Sequence, residues 1–514
     1  MTLDIEAVWR PIPNSSQALA LDSRCHHTLF TGARGPGKTD TQLMRFRRRV
    51  GQGYGPFWRG VIFDREYKNL DDLVAKSKRW FNAFDDGAKF LESASSYKWV
   101  WPTGEELLFR QIKKMDDYWN YHGQEFPFIG WNELCKYATD ELYEAMNSCN
   151  RSSYVPEVNG FIGGVKDEET GLLVCPQTGK LPQPIPLEVF STTNPYGPGH
   201  GWVKRKFITP AEYGQVVRRT TEVYNPRTKQ KENVTKTQVA IFGSYRENIY
   251  LSPEYVAELE SIKDKNKRKA WLEGDWDIVA GGALDDVWDR PTHVVPRFVV
   301  PKSWHIDRTF DWGSTHPFSV GWWAEANGEE ATTLDGGSFC PPPGTLVQIF
   351  EWYGTEEIGT NRGLKLSAKK IAEGIKEREI MLMEQGWIEA QPWPGPADNQ
   401  IRDVRESDVD TIEQKMAKEG IRWTDSDKSP GSRKNGLQLI RDRLEAATEG
   451  EGPALYFMDC CRASIDILPN LPRDETKLDD VDTDAEDHPY DMVRYRVLKG
   501  SNRLARSIKV KFAS

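Results

Sequence analysis

The sequence predicts an α/β protein of two domains, and three observations carry the prediction. A glycine-rich stretch, Gly32-Ala33-Arg34-Gly35-Pro36-Gly37-Lys38-Thr39, fits the phosphate-loop pattern G-x-x-x-x-G-K-[ST] and lies between a short extended stretch and a helix candidate. Short apolar strand candidates alternate with helical stretches through the first half of the chain, as in layered α/β proteins. The chain has 514 residues, more than one core usually organises, and a new strand candidate opens after the proline-punctuated sequence at 291–301.

Taken in order, Thr28 to Phe30 reads as the strand that enters the phosphate loop. Thr39 to Val50 reads as the helix that leaves it, with its N-terminal dipole toward bound phosphates. Gly60 to Phe63 reads as a strand, and Lys98 to Pro102 with Glu106 to Gln111 as a hairpin around Thr103-Gly104. The apolar run Phe126 to Trp131 is a strand that ends in Asn132-Glu133, and Glu188 to Phe190 is one that ends in Ser191-Thr192-Thr193-Asn194-Pro195. Between them, Asn150 to Pro186 is a polar surface excursion with a small hairpin. Arg218 to Lys236, carrying Arg218, Arg219, Arg227, Lys229, Lys231 and Lys236, reads as a solvated loop, with DNA contact as the second reading. A charged helical region from Pro253 to Glu273 leads to Gly274-Asp275-Trp276-Asp277 and the hinge-like pair Gly281-Gly282, so the domain boundary is expected near residue 290. Trp304 to Phe310 then starts the second domain, an ordinary size at about two hundred residues.

Composition excludes several classes. Hydrophobic residues make up 38%, mean hydropathy is -0.64, and no run approaches the ~18 apolar residues of a membrane span. The N-terminus lacks a basic start followed by an apolar run, so a cytoplasmic protein is expected. Seven cysteines show neither C-x-x-C nor zinc-site spacing and read as reduced, structural thiols. A net charge of -9 argues against a protein coated by nucleic acid but leaves room for one basic groove. The nineteen Trp and eighteen Tyr are expected to fill core.

The loop chemistry points to ATP with Mg²⁺. Gly32, Gly35 and Gly37 let backbone N–H groups converge on phosphate, Lys38 supplies charge to the β and γ oxygens, and the Thr39 hydroxyl suits magnesium. Glu133 is the expected carboxylate that polarises water, with Asn132 at the magnesium position where an Asp is expected. Asn194 and its neighbouring hydroxyls are placed to sense the γ-phosphate.

The segments WRPIPNSSQ, TGARGPGKT, WVWPTGEELLF, YHGQEFPFIGWNEL, STTNPYGPGHGWVKRKFI, SYRENIYLSPEY and AWLEGDWD, in this order over nearly the whole chain, resemble the large terminase subunit of tailed bacteriophages. The resemblance implies a P-loop ATPase domain over 1–245, with an ASCE-type parallel-rich sheet and helices on both faces. It further implies a lid or linker over 246–295, an RNase-H-like α/β nuclease domain over 296–500 and a basic tail over 501–514 with Arg503, Arg506, Lys509 and Lys511. By the same resemblance Gln17 reads adenine, Arg34 stabilises charge at the γ-phosphate in cis, and Arg151 reaches a neighbouring subunit's nucleotide, with Cys149 standing where the family has a first arginine.

Two Mg²⁺ or Mn²⁺ ions in the nuclease domain call for carboxylates converging from several elements. Asp311 ends a strand before a glycine turn, with Asp307 earlier on the same face. Glu351 and Asp398 compete for the second place, and the family's Ala-Asp segment favours Asp398. Asp491 is the third ligand, on one helical face with Asp487 and near His488. Lys428, Arg433 and Lys434 form a basic loop suited to phosphodiester backbone.

The function implied is ATP-driven translocation of double-stranded DNA into a procapsid and cleavage of concatemeric DNA. The implied partners are the portal protein, a small terminase subunit and copies of the chain in a ring, with a monomer in isolation as the alternative. Its place would be the host cytoplasm, transiently at the portal and outside the finished virion. The competing reading is a helicase- or repair-type ATPase whose C-terminal domain is a binding platform without nuclease activity.

Overall fold

The computed structural model describes residues 8–511 apart from 94–95, 226–227, 264–267, 277–281, 335, 404–409, 475–479 and 483–484, and no side chain beyond Lys499. The chain divides into two units, Met1–Ala280 and Gly281–Ser514.

The strands of the first unit are β1 (His27–Gly32), β2 (Arg59–Asp64), β3 (Lys89–Leu91), β4 (Lys98–Val100), β5 (Glu106–Gln111), β6 (Phe128–Trp131), β7 (Val165–Lys166), β8 (Leu173–Val174), β9 (Glu188–Thr192), β10 (Val217–Asn225) and β11 (Gln230–Gly243). Nine of them form one sheet in the order β10-β11-β1-β9-β6-β2-β5-β4-β3, and β7 and β8 make the separate small hairpin. From β11 to β5 all pairings are parallel, whereas β10, β4 and β3 join antiparallel at the two edges. The core order is the ASCE order, with one strand inserted between the phosphate-loop strand and the strand that ends in Asn132-Glu133.

Both faces of this sheet are covered, so its strands are apolar at consecutive positions rather than alternating with polar ones. Phe30, Ile62, Phe128, Phe190 and Ile241 point into one apolar layer with Leu43, Met44 and Phe46 of the helix Lys38–Arg47. Their neighbours Leu29, Val61, Ile129, Val189 and Ala240 point into the opposite layer with Tyr143, Trp202 and Val203. Such two-sided burial leaves the carboxyl edge of the parallel strands as the place where polar side chains gather.

The second unit contains β12 (Val294–Val295), β13 (His305–Asp311), β14 (Ser319–Glu325), β15 (Ala331–Thr332), β16 (Ser338–Phe339), β17 (Leu346–Tyr353), β18 (Pro396–Ala397), β19 (Thr424–Asp425) and β20 (Leu455–Met458). Seven form a sheet in the order β12-β20-β17-β14-β13-β18-β19, and β15 and β16 pair by themselves. β13, β14 and β17 are antiparallel neighbours, while β18, β19, β20 and β12 add in parallel. An antiparallel meander followed on one side by two parallel strands is the RNase-H-like arrangement. The helix Ala368–Glu384 lies on one face, where its Glu379 meets Arg308 and the Trp322 indole. The helix His488–Lys511 lies on the other, where Tyr495 and Arg496 meet Asp311 and Asp307. Alternation along β13 therefore sends Asp307 and Asp311 to the second helix and Arg308 to the first.

Several expectations need correction. Arg218 to Asn225 and Gln230 to Lys236 are not a loop: they pair in a long antiparallel ribbon of β10 and β11, because β-branched Thr and Val suit paired strands, while Arg227 lies outside the described residues. The boundary lies at 280/281 rather than near 290 or at 295/296. Residues 294–295 already pair with β20, so the latter part of the proposed 246–295 linker belongs to the second sheet. Among the described residues the helical region shows Pro253–Glu260 and Lys269–Glu273, with residues 264–267 outside the description. Asp277 and Gly281 of the hinge segment lie outside the described residues. The basic tail begins inside the helix His488–Lys511, and the side chains of Arg503, Arg506, Lys509 and Lys511 lie outside the description. All seven cysteines are free, and no described helix is long and apolar enough to cross a membrane.

Candidate active sites

The phosphate loop follows β1 directly and is held from three sides. Gly32 bonds through its carbonyl to Asn194 Nδ2 at 2.8 Å, Ala33 N donates to the Gly243 carbonyl at 2.9 Å, and Asn248 Nδ2 donates to the Gly35 carbonyl at 2.6 Å. Gly37 has φ of 85°, in the left-handed region that favours glycine. A Cβ there would collide with the amide of Gln17.

Gln17 itself is buried on the helix Ser16–Asp22. Its Nε2 donates to the Pro36 carbonyl at 2.8 Å and its Oε1 accepts from Ile12 N at 3.2 Å. Instead of standing free for a base, this amide braces the loop. Arg34 is exposed, stacks on the Trp271 ring at 3.4 Å from its centroid, and donates its backbone N–H to the Trp271 carbonyl at 2.8 Å.

Lys38 opens the helix and is buried, with Nζ donating to the Ala33 carbonyl at 2.6 Å. Burial pushes its pKa down to about 8, against an opposing pull from Glu133. A buried ammonium resting on a carbonyl at the positive end of a helix suits an anionic phosphate, which would stabilise the charge that burial disfavours. Thr39 follows on the same helix, half-buried.

Asn132 and Glu133 lie at the end of β6. Glu133 has φ of 53°, a strained conformation for a side chain of this kind, and its N–H approaches Thr192 Oγ1 at 3.4 Å. Asn132 is buried and donates from Nδ2 to Asp64 Oδ2 at 2.6 Å, with its Oδ1 3.4 Å from Thr192 Oγ1. Asp64, at the end of β2, escaped the sequence reading. The signal was present, since an acid ends the apolar strand Gly60 to Phe63 just as Asn132-Glu133 ends another.

Arg151 is not brought to this site. It is exposed and donates to the Gly123 carbonyl at 2.6 Å, next to the Phe126–Cys149 backbone bond at the amino end of β6, whereas the phosphate loop lies at the carboxyl ends. Cys149 is buried against the Tyr121 carbonyl.

In the second unit a cavity of about 600 Å³ is lined by five aspartates, Asp311, Asp398, Asp480, Asp487 and Asp491, together with Lys428 and Arg433, whose Nε donates to Asp480 Oδ2 at 3.0 Å. Asp311 ends β13 and is buried. Its Oδ2 meets His488 Nδ1 at 2.8 Å and its Oδ1 accepts from the Tyr495 hydroxyl at 3.1 Å. Asp398 is brought alongside by the parallel pairing of β18 with β13, its N–H donating to the Phe310 carbonyl at 2.9 Å. It caps the following turn through Gln400 N at 3.1 Å and pairs with Lys428. Asp491 accepts from Arg494 Nε at 3.0 Å and lies 3.7 Å from Arg433 Nη1, while Asp487 lies 3.7 Å from Arg433 Nη2.

Burial first, and then the charges of Asp491 and Asp398, push the Asp311 carboxyl upward. Burial and Asp491 bring Asp487 up to about 8. Burial alone would lower His488, but the hydrogen bond and charge of Asp311 outweigh it and hold the imidazole at about 9. The donor set, hard carboxylate oxygens from three elements, fits Mg²⁺ or Mn²⁺ in kind. Its present arrangement is that of salt bridges: among the described residues no group of three His, Cys, Asp or Glu side chains is disposed to hold an ion.

Glu351 is not part of this cavity. It accepts from Ala463 N, from Ser464 N at 3.0 Å and from Ser464 Oγ at 2.8 Å, capping the short helix Arg462–Ile467. Of the two competitors for the second place, the structure brings only Asp398 to Asp311. Lys434 lines the cavity beside Arg433, and Tyr495, which the sequence reading missed, bridges Asp311 and Asp491.

No protein-family model and no curated protein matches the chain. Solved structures of large terminases are among those similar to it. The large terminase of the thermophilic bacteriophage D6E is 15% identical, covering 94% of this chain and 98% of its own, at a TM-score of 0.36. That of bacteriophage HK97 is 9% identical, covering 98% and 95%, at 0.42. The P22 large terminase nuclease domain is 14% identical, covering 40% of this chain and 87% of its own, at 0.28.

Proposed function

We propose that this chain is a large-terminase-type enzyme that couples ATP hydrolysis to translocation of double-stranded DNA and cuts that DNA at a metal-dependent nuclease site. The observation that carries the reading is the pairing, in one chain, of a phosphate loop at the carboxyl edge of an ASCE-ordered sheet with a five-aspartate cavity at the carboxyl edge of an RNase-H-ordered one.

In the first unit, Gly32 to Gly37 would wrap the phosphates, Lys38 would neutralise the β and γ oxygens, and Thr39 with Asn132 would hold magnesium and its waters. Glu133 would orient the attacking water and accept its proton. Asn194, which grips the loop at Gly32, would report the state of the γ-phosphate. Arg34, freed from Trp271, would stabilise charge on the γ-phosphate, and Gln17 would read the base once released from Pro36. Arg151, on the opposite edge of the sheet, would serve a neighbouring subunit in a ring.

In the second unit, Asp311, Asp398 and Asp491 would hold two Mg²⁺ or Mn²⁺ ions, which when bound would activate water and polarise the phosphodiester. Lys428, Arg433 and Lys434 would then be released to the DNA backbone, a sequence-independent grip. The ATPase role is assigned to residues 1–245, the lid to 246–280 and the nuclease to the unit from 281. Portal protein of the procapsid, a small terminase subunit and other copies of the chain are the partners this role requires, in the host cytoplasm.

Lys38→Ala is expected to abolish ATP turnover while leaving the chain folded, since relief of a buried cation offsets part of the loss of its bond to the Ala33 carbonyl. Retained turnover would refute the nucleotide site. Full chain with plasmid and Mn²⁺ should nick or linearise it, and Asp311→Ala should not. A second reading, an ATPase whose C-terminal unit is a binding platform without cleavage, is favoured by the basic partners seated on Asp398 and Asp491. Plasmid left intact by an ATP-hydrolysing wild type would select it.

A further inference from the structure

The strand end that should carry a magnesium-side carboxylate carries Asn132, and the missing acid stands on the neighbouring strand. β2 and β6 pair in parallel with Phe63 opposite Trp131, so Asp64 and Asn132 are the next residues on each strand. Asn132 N donates to the Phe63 carbonyl at 2.9 Å, and its side-chain Nδ2 donates to Asp64 Oδ2 at 2.6 Å. Asp64 is fully buried. It is fixed by Glu66 N at 2.9 Å, Asn69 Nδ2 at 3.2 Å and the Lys136 ammonium at 3.2 Å from both oxygens.

The chemistry of this contact has one direction. An ionised carboxylate only accepts, so the amide nitrogen of Asn132 must face β2 and its oxygen must face the other way. The other way is β9, whose Thr192 hydroxyl lies 3.4 Å from Asn132 Oδ1. β9 is in turn the neighbour of β1, and Asn194, just past its end, holds Gly32 of the phosphate loop. A short charge-assisted hydrogen bond to the nitrogen also polarises the amide, which makes its oxygen a stronger acceptor.

We propose that Asp64 is a positioning residue for the nucleotide site: through the Asn132 amide it turns an oxygen toward the phosphate loop and strengthens it, so that Asp64 and Asn132 together do the work of one strand-end aspartate. The proposal rests on the nucleotide reading of the loop. It assigns the carboxylate to β2 and the ligand oxygen to β6, and it makes the two residues exchangeable as a pair.

The test is ATP turnover by the full chain as a function of Mg²⁺ concentration in Asp64→Asn, Asn132→Asp and the double exchange. Residues that orient a metal ligand from behind typically contribute about 10–100-fold to metal affinity or activity. Asp64→Asn should raise the Mg²⁺ concentration for half-maximal turnover in that range, because an amide facing an amide no longer dictates which atom turns to the loop. Asn132→Asp alone sets two carboxylates face to face and should also be impaired.

The exchange D64N/N132D restores one donor and one acceptor at the contact and places the carboxylate on the loop side, so its Mg²⁺ requirement should return toward wild type. A merely structural Asp64 predicts the reverse, a double variant at least as impaired as either single one. An unchanged Mg²⁺ requirement in Asp64→Asn, or a double exchange no better than that variant, overturns the proposal. Either result leaves the nucleotide reading standing so long as wild type hydrolyses ATP and Lys38→Ala does not. Equal turnover by wild type and Lys38→Ala would remove the reading itself and the proposal with it.

Discussion

Replacing Gly37 by alanine tests how Gln17 holds the loop. The residue sits at φ of 85°, where an L side chain costs roughly 1–2 kcal/mol. The new Cβ would also fall on the Gln17 amide, which must swing away and give up its bonds to Pro36 and Ile12. Losing these two hydrogen bonds adds about 1 kcal/mol each, so the variant should be destabilised by roughly 3–4 kcal/mol. Gln17→Ala alone strands the Pro36 carbonyl and should cost about 1–3 kcal/mol. In the double variant the space behind Gly37 is already open, so the collision disappears and the backbone strain remains. Residues in contact commonly couple by about 0.5–3 kcal/mol, and here the double variant should cost less than the sum of the singles by an amount in that range. Thermal unfolding of the nucleotide-free chain measures the stability side, and the KM for ATP reads the same distortion at the site. Strictly additive costs, or an unchanged KM in Gly37→Ala, would refute the bracing role of Gln17.

Glu351→Gln should leave plasmid cleavage unchanged, because the residue caps a helix away from the aspartate cavity; lost cleavage would restore it as a ligand. The same variant reports on pH. Burial raises the Glu351 pKa from 4.5 to about 7, so the folded state keeps a proton that the unfolded chain releases near 4.5. Its stabilising contribution is full below about 4.5 and is lost as pH rises through about 7. The melting temperature of wild type should therefore fall more between pH 5 and pH 8 than that of Glu351→Gln, and parallel curves would show that the carboxyl titrates normally. Asp307→Asn should lower the melting temperature strongly, since Arg496, 1% exposed, keeps only the more exposed Glu325 as its carboxylate partner. Breaking such a buried pair typically costs about 3–5 kcal/mol, and a shift within experimental error would show that Arg496 finds water instead.

The parts of this fold that were legible in the sequence are those specified locally. The phosphate loop, the strands that end in Asn132 and Asp311, and the helical spacing of Asp487 and Asp491 each lie within a dozen residues, where turn chemistry and periodicity act. The illegible parts depend on pairing between distant strands. β10 and β11 looked like a loop because both are polar and charged on an exposed edge, and only their register, Arg219 opposite Lys236 and Thr220 opposite Thr235, declares a ribbon. Glu351 and Asp398 compete in the sequence as acids next to apolar residues, and only the family resemblance favours Asp398. Parallel pairing of β18 with β13 separates them, because it sets Asp398 beside the Asp311 end of β13 while Glu351 faces the amide groups of Ala463 and Ser464.

Both sites follow from one property of parallel strands buried on two faces. Apart from Asp307 and Arg308, which ion pairs satisfy inside β13, side chains along the body of these strands are mostly apolar, so polar groups gather where the strands end, and residues far apart in the chain become neighbours there. At the first site the neighbours are Asp64, Asn132, Thr192 and Asn194 from three strand ends. At the second they are Asp311, Asp398 and the helix that carries Asp491. A substitution at one strand end can therefore be compensated from the next, which is the relation proposed for Asn132 and Asp64. It follows that the residue type at a single motif position is a weak criterion for activity. The criterion that decides is whether the adjacent strand ends together still supply one acceptor beside the loop, and in this chain the hydrogen bond from the Asn132 amide to Asp64 leaves Asn132 Oδ1 on the β9 side, next to Thr192.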